Sequence, residues 1–144
     1  MILVEKLLVL AVALQAFLAI SLILWLGLER VPRVMRGEIR VADIAVDRSA
    51  YPLKARLLSN SVDNQFQLPI LFFVGAVLLL QADLADWFSV ILAFLFVALR
   101  YVHAAIHVTT NRVYRRFVIY TAGLAVLSLF WLWLVLRILL LPSA

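Results

Sequence analysis

The sequence predicts an all-α protein that is built into a membrane as a single four-helix bundle over residues 1–144. Hydrophobic residues make up 67% of the chain and the mean hydropathy is +1.10. The apolar fraction of soluble domains is only about half. The apolar residues fall into four runs, and each run is long enough for the roughly 20 helical residues that cross a bilayer. The chain has no cysteine, so it forms no disulfide and offers no thiolate of its own.

The first predicted span covers about residues 2–28, an apolar run that few polar residues interrupt. At a rise of about 1.5 Å per residue, a helix of this length crosses a bilayer. A cleaved signal peptide is the competing interpretation. The run is too long for one, lacks a basic start and has no small-residue cleavage site after it, so we expect a span. A polar, arginine-rich linker follows over Glu29–Ala50.

Three further spans are predicted at about residues 52–80, 84–110 and 112–141. Pro52 fits the first turn of the second span, where its missing backbone N–H is no loss. Asp83 lies in the short turn before the third span, where an aspartate can cap the helix N-terminus. The short connections predict that the second helix runs antiparallel to the third, and the third to the fourth.

The basic residues predict the orientation in the membrane. Cytoplasmic loops carry an excess of lysine and arginine, and here the linker and the turn before the fourth span hold most of them. Those residues are Arg30, Arg33, Arg36, Arg40, Arg48, Lys54, Arg112, Arg115 and Arg116. The other side holds only Lys6 and Arg137. We therefore expect an inner or plasma membrane protein with both loops in the cytoplasm, both termini outside and no nucleic acid partner.

A stripe of polar residues follows the second span at helical spacing, at positions i, i+4, i+7, i+8 and i+11. The stripe consists of Arg56, Asn60, Asp63, Asn64 and Gln67. This spacing places the residues on one face of a helix. Such a face cannot contact lipid, because the transfer of a charge or an unpaired amide from water to an apolar medium costs roughly several kcal/mol of free energy. The face must therefore meet a partner.

A second stripe follows the third span: Arg100, His103, His107 and Asn111. Counted from the cytoplasmic ends of the two helices, Asp63 lies about 16 Å deep and Arg100 about 15 Å deep. The sequence therefore predicts an ion pair between Asp63 and Arg100 near the bilayer centre. Two further matches in depth are expected, Asn60 with His103 and Arg56 with His107.

The two stripes together predict a wet cleft that opens to the cytoplasm and has a cationic mouth. Arg112, Arg115 and Arg116 lie at this mouth, where the N-terminus of the fourth helix also favours anions. An anionic, carboxylate-bearing ligand is the interpretation that explains all these groups. Two alternatives remain: the Asp63–Arg100 pair only joins two helices, and the three arginines only mark topology or contact lipid headgroups.

At these residues the chain resembles the MAPEG family, the membrane-associated proteins of eicosanoid and glutathione metabolism. The family pattern in the second helix is an arginine, an asparagine four residues on, an acidic residue three further and often another asparagine. The matching residues are Arg56, Asn60, Asp63 and Asn64. In the third helix the pattern is an arginine, an aromatic residue or histidine, usually a tyrosine, and basic residues at the next turn. The matching residues are Arg100, His103, His107, Arg112, Arg115 and Arg116.

The resemblance implies a homotrimer that holds glutathione between neighbouring subunits near the cytoplasmic side. It implies that these residues hold the glutathione: Arg56, Asn60, Asp63, Asn64, Arg100, His103, His107 and Arg112. It implies that Arg116, near the start of the fourth helix, is the catalytic residue that stabilises the glutathione thiolate. Three positions differ from the family pattern: Asp63 replaces a glutamate, His107 a tyrosine, and Ser59 a second arginine that some members carry.

Two functions stay open at this point. The first is a glutathione-dependent transferase or peroxidase whose bound thiolate attacks a lipophilic electrophile dissolved in the bilayer. The second is a non-catalytic membrane protein of the same fold that binds a lipid or a metabolite. A metal site is a third interpretation, because His103 and His107 have the i, i+4 spacing of helix ligands and Asp63 could be a third ligand. We expect no metal, since Arg100 one turn away repels a cation.

Overall fold

The computed structural model describes residues 1–140, and these residues form helices, turns and loops without any strand. Within this range the helices follow one another along the chain as a series of five α-helices and two short 3₁₀ helices. Their bounds are α1 (Leu3–Met35), a 3₁₀ helix (Val41–Ile44), α2 (Leu53–Asp63), a 3₁₀ helix (Asn64–Phe66), α3 (Leu68–Gln81), α4 (Trp87–Val108) and α5 (Val113–Leu140).

Four helical stretches are long and apolar enough to cross a membrane. They are α1, the stretch Leu53–Gln81 that combines α2 and α3, α4, and α5. The predicted all-α fold with four membrane-length helices is therefore confirmed. The predicted end of the fourth span at residue 141 lies outside the described residues.

The first helix continues beyond the apolar run that predicts it and ends at Met35. The linker predicted to begin at Glu29 is therefore helical over about two turns. Within these turns Arg33 donates from Nε to the Glu29 carbonyl at 3.0 Å, and its Nη2 lies 3.5 Å from Glu29 Oε2. Side-chain pairs at i, i+4 stabilise a helix that is exposed to water, so α1 continues where the sequence becomes polar.

The second span is two helices and not the single continuous helix that the sequence predicts. α2 ends at Asp63, and Gln67 adopts φ −106° and ψ −102° before α3 begins. Pro69 is the physical reason for the break. Proline has no N–H to donate to the carbonyl four residues earlier, and its ring collides with that carbonyl.

Two glutamine side chains bridge this break inside the bundle. Gln15 of α1 donates from Nε2 to Gln65 Oε1 at 3.0 Å, and Gln65 donates from Nε2 to the Ser61 carbonyl at 3.2 Å. All three residues are buried. Amide groups inside an apolar bundle are costly unless they are hydrogen-bonded, so this pair fixes α1 against the break.

The turn between α3 and α4 differs from the prediction in its cap. Asp83 does not cap the next helix and instead has a positive φ of 53° in the turn. The cap is Asp86, whose Oδ1 accepts from the Ser89 backbone N–H at 2.8 Å, and α4 begins at Trp87. Asp86 also accepts from Trp133 Nε1 of α5 at 2.9 Å. The start of α4 is therefore tied to α5.

The core lies where α3, α4 and α5 meet, and three phenylalanines form its centre. The ring of Phe72 lies 5.1 Å from that of Phe96 and 5.7 Å from that of Phe130, measured between centroids. Offset aromatic pairs at these distances add to the gain from burial. Toward the other end, α1, α2 and α4 meet in a second cluster that contains Leu18, Leu58 and Ala104.

Candidate functional site

A cavity of about 200 Å³ lies at one end of the bundle, between the break of the second span, α4 and the first turns of α5. Its polar lining contains a guanidinium, an imidazole, an amide and a phenol, and its remaining lining is apolar. The lining residues are Asn64, His103, Val113, Arg116, Phe117 and Tyr120. Three of the predicted site residues, Asn64, His103 and Arg116, are therefore brought together.

The turn between α4 and α5 positions Arg116. Asn111 has a φ of 45° and its N–H donates to the Ile106 carbonyl at 2.7 Å, which closes the end of α4. Asparagine tolerates this left-handed conformation better than most residues. Its side chain is then free to accept from Arg116 Nη1 at 2.6 Å. This bond holds the guanidinium at the first turn of α5, in the cavity wall.

His103 and Tyr120 face each other across the cavity wall, with ring centroids 5.8 Å apart. The Tyr120 hydroxyl lies 3.5 Å from Oε1 of Gln67, a residue of the break. His103 is buried, and its Nδ1 has no hydrogen-bond partner within residues 1–140. A buried polar atom without a partner is uncommon in proteins, so Nδ1 is a group that a bound molecule could satisfy.

Arg100 is buried, with 1% of its surface exposed, and it does not pair with Asp63. Its Nη2 donates to the Asn64 carbonyl at 2.9 Å, and its Nε and Nη1 have no partner in the described part of the chain. The break makes this contact possible, because carbonyls at a helix end lack intrahelical partners. The predicted ion pair between Asp63 and Arg100 is therefore wrong.

Asp63 instead pairs with an arginine of the loop between α1 and α2. Arg48 Nη1 lies 2.6 Å from Asp63 Oδ2, and both side chains are about half exposed. The reason is the rotation of α2, which buries Ala55, Leu58 and Ser59. Successive residues of a helix are about 100° apart around its axis. With the buried residues turned toward the bundle, the stripe faces outward, so Asp63 points away from α4. The pairing holds the pKa of Arg48 above its ordinary value, because Asp63 accepts its hydrogen bond and carries the opposite charge.

The remaining predicted residues are not among those that line the cavity. His107 is buried with its ring 5.8 Å from that of His103, and neither of its ring nitrogens has a partner in residues 1–140. Asn60 and Arg56, which are predicted to match His103 and His107 in depth, are exposed, whereas both histidines are buried. Arg112 is exposed as well.

The three residues of the metal interpretation do not come together in the described part of the chain. Among the described residues, no three side chains of histidine, cysteine, aspartate or glutamate come close enough to hold a metal ion. His103 and His107 are near each other, but Asp63 is exposed and bound to Arg48.

Sequence reasoning missed Tyr120 and Arg48. Tyr120 could have been found, because it follows Arg116 by four residues and so shares its helix face. Arg48 carries no such signal, since a loop has no periodicity that relates it to Asp63. Val113 of the cavity wall precedes Arg116 by three residues and could have been found in the same way. Phe117 directly follows Arg116, about 100° around the helix, and carries no such signal.

The fold and the cavity define a multi-pass membrane protein that gathers cationic and polar side chains at one end of a four-helix bundle. The model of the MAPEG family matches residues 8–136, and the chain belongs to this family. The resemblance of the motifs is therefore confirmed at the level of the family. Neither the curated proteins nor the solved structures contain a match to the chain. MAPEG proteins work in membrane glutathione and eicosanoid metabolism, which gives the general area of function.

Proposed function

We propose that the chain is a glutathione-dependent membrane transferase or peroxidase that acts on lipophilic electrophiles. The observation that carries this proposal is the cavity in which Arg116, His103, Asn64 and Tyr120 meet. Membership of the MAPEG family supports glutathione as the thiol. When bound, glutathione supplies the nucleophilic sulfur that the protein lacks, since the chain has no cysteine.

The unsatisfied groups around the cavity fit such a ligand. Arg100 has two buried nitrogens without a partner in residues 1–140, and His103 has one. No carboxylate within residues 1–140 pairs with Arg100, so a carboxylate of the ligand would supply the missing opposite charge. Buried charges are usually paired, and this arrangement favours an anionic ligand over a neutral one.

Arg116 is the residue that acts on the reacting atom in this proposal. Its guanidinium lies in the first turn of α5 and in the cavity wall, where the helix N-terminus adds a partial positive charge of the same sign. Both charges stabilise an anion in the cavity and so favour a thiolate over a thiol. The Tyr120 hydroxyl, which also lines the cavity, can donate a hydrogen bond to the same anion.

The apolar part of the cavity wall supports a lipophilic second substrate. Val113 and Phe117 line the cavity, and 67% and 64% of their surfaces are exposed. In a membrane such surfaces contact acyl chains. A molecule dissolved in the bilayer would therefore approach Arg116 over an apolar surface and meet the thiolate without crossing the aqueous phase.

The exposed stripe of α2 supports the homotrimer. Arg56, Asn60 and Asp63 are exposed on the protomer although they lie in a membrane-length stretch. Lipid cannot cover such groups at low cost, and a second copy of the chain can. We propose that the copies form a homotrimer in which glutathione contacts this stripe of one subunit. The arginine-rich loops support an orientation with the stripe on the cytoplasmic side and both termini outside.

The test compares Arg116→Ala with Arg115→Ala, its exposed neighbour about 100° around α5. We expect Arg116→Ala to lower the rate of conjugation to a generic aromatic electrophile by about 100-fold, as with the loss of a single anion-stabilising donor. Its glutathione affinity, measured by isothermal titration, should change little, because Arg116 acts on the thiolate. Arg115→Ala should keep both quantities within about twofold of wild type.

A third variant separates binding from chemistry. Arg56→Ala should weaken glutathione binding, because Arg56 is assigned to a ligand carboxylate. If the wild type binds no glutathione and forms no conjugate, the enzyme proposal fails and a non-catalytic lipid- or metabolite-binding protein takes its place. If Arg115→Ala carries the loss of turnover, Arg116 is not the catalytic residue.

A further inference from the structure

The loop between α1 and α2 carries a short charged segment, Asp47–Ser49, that lies against the polar stripe. Arg48 Nη1 is 2.6 Å from Asp63 Oδ2, although the two residues are 15 positions apart in the chain. No other residue within 1–140 forms an ion pair with Asp63. The contact therefore joins the loop to the last turn of α2.

The neighbouring residue of the segment, Asp47, carries the charge opposite to that of Arg48. The pKa of Asp47 lies below its ordinary value, chiefly because the Ser49 hydroxyl and backbone N–H donate to it, and Arg56 adds to the effect. Arg56 and Asp63 are seven residues apart, so they lie on one face of α2 about 10 Å apart. The charges of Asp47 and Arg56 therefore interact at a distance, whereas within residues 1–140 the ion pair between the segment and the stripe is that of Arg48 with Asp63.

Apolar contacts fix the loop at both ends. Ile39 and Tyr51 are buried together against Ala55 of α2, and the Tyr51 N–H donates to the Arg48 carbonyl at 3.1 Å. The loop is therefore anchored before and after the charged segment. Ile44 also packs on this cluster, whereas residues 45–50 are exposed, which allows the charged segment to leave the stripe while the ends stay in place.

We propose that Asp47–Ser49 partly covers the ligand-binding face of α2, at its Asp63 end, and that Arg48 competes with the ammonium group of the ligand for Asp63. The proposal rests on the proposed function, in which this face receives glutathione, a molecule with both carboxylate and ammonium groups. The segment offers the stripe the same two charges: Asp47 corresponds to a carboxylate and Arg48 to the ammonium.

The exposure of the ion pair sets the strength of the competition. The side chains of Arg48 and Asp63 are 48% and 53% exposed, and pairs this exposed are worth no more than about a fivefold change in an equilibrium. A ligand can therefore displace the segment. Removing the competitor raises the apparent affinity by the same factor, up to about fivefold, because the competent state is then fully populated.

The experiment uses the full chain with Arg48→Ala, and with Arg48→Gln as a second variant that keeps most of the side-chain length. Arg40→Ala is the matched control, because Arg40 is an exposed arginine of the same loop whose partner is Asp43, at 2.9 Å. Asn60→Cys in each background provides a unique thiol on the stripe, since the chain has no cysteine. The rate at which this cysteine reacts with a charged, water-soluble thiosulfonate measures, without any ligand, how far the segment shields the stripe. Isothermal titration with glutathione on the proteins that lack the added cysteine measures the competition.

We expect the Arg48 variants to raise the labelling rate several-fold and to bind glutathione up to about fivefold more tightly, with Arg40→Ala like wild type in both. An unchanged labelling rate overturns the cover, whatever glutathione does. Faster labelling with weaker glutathione binding overturns the competition, because Arg48 would then hold the ligand. If labelling becomes faster but no variant binds glutathione, the segment does shield the stripe, and the proposed ligand and the competition are both overturned.

Discussion

Replacing Gly75 by alanine tests how closely α3 and α5 approach each other. A Cβ at this position would lie 2.8 Å from Phe130 Cε1 and 3.4 Å from Phe130 Cδ1 and Trp131 Cε2. Carbon atoms in contact prefer about 3.5–4.0 Å, so the Phe130 ring or the helix must move by about 0.7 Å. Phe130 is 1% exposed and packs on Phe72, and Trp131 donates to the Leu71 carbonyl at 3.1 Å, so neither moves without loss.

Overpacking of this kind costs about 1–3 kcal/mol. Alanine also favours a helix over glycine by about 0.5–1 kcal/mol, and the control Gly27→Ala measures that gain alone. Gly27 is a helical glycine whose added Cβ meets nothing within 4 Å. The difference between the two variants should therefore be about 1–3 kcal/mol, or roughly 3–9 °C in melting temperature for a chain of this length.

The assay is thermal unfolding of each purified variant in the same detergent, followed by circular dichroism. A Gly75→Ala variant that melts at or above the temperature of Gly27→Ala refutes the close packing of α3 on α5. A lowered melting temperature in both variants would show that the helix-propensity argument fails in this protein.

Two further predictions concern caps and ion pairs. Asp86→Ala should lower the free energy of unfolding by about 2 kcal/mol in the same melting assay, because it removes the cap of α4 and the acceptor of Trp133. The control Asp83→Asn keeps a residue suited to the positive φ and should stay within about 0.5 kcal/mol of wild type. The changes in the free energy of unfolding caused by Asp63→Asn and Arg100→Met should add within about 0.5 kcal/mol in the double mutant, because the two side chains do not touch. A coupling energy well above about 1 kcal/mol would show that Asp63 and Arg100 do form an ion pair.

The sequence predicts the four membrane-length helices because hydropathy and length determine them almost alone. It also places Asn64, His103 and Arg116 among the site residues, and the structure brings them to one cavity. The rise per residue gives the depth of a side chain along a helix. It does not give the rotation of the helix about its axis, which depends on packing with the rest of the bundle.

Asp63 and Arg100 show the consequence of that missing information. They match in depth, yet α2 turns Asp63 outward and the break offers Arg100 a backbone carbonyl in its place. Pro69 was a visible signal for the break, since proline inside a helical pattern interrupts it. The partner of Asp63 was not visible, because no sequence rule brings Arg48 of an irregular loop to the last turn of α2.

The interrupted second span has a consequence for how the protein can change. Its α3 part belongs to the phenylalanine core, whereas its α2 part carries the polar stripe and meets the loop. A rigid helix of this length would transmit any adjustment of one part to the other. With an irregular joint between them, substitutions in the polar stripe of α2 leave the core packing on α3 intact. The thermal stability of the core and the chemistry of the polar face can therefore be altered separately in this chain, each through its own set of residues.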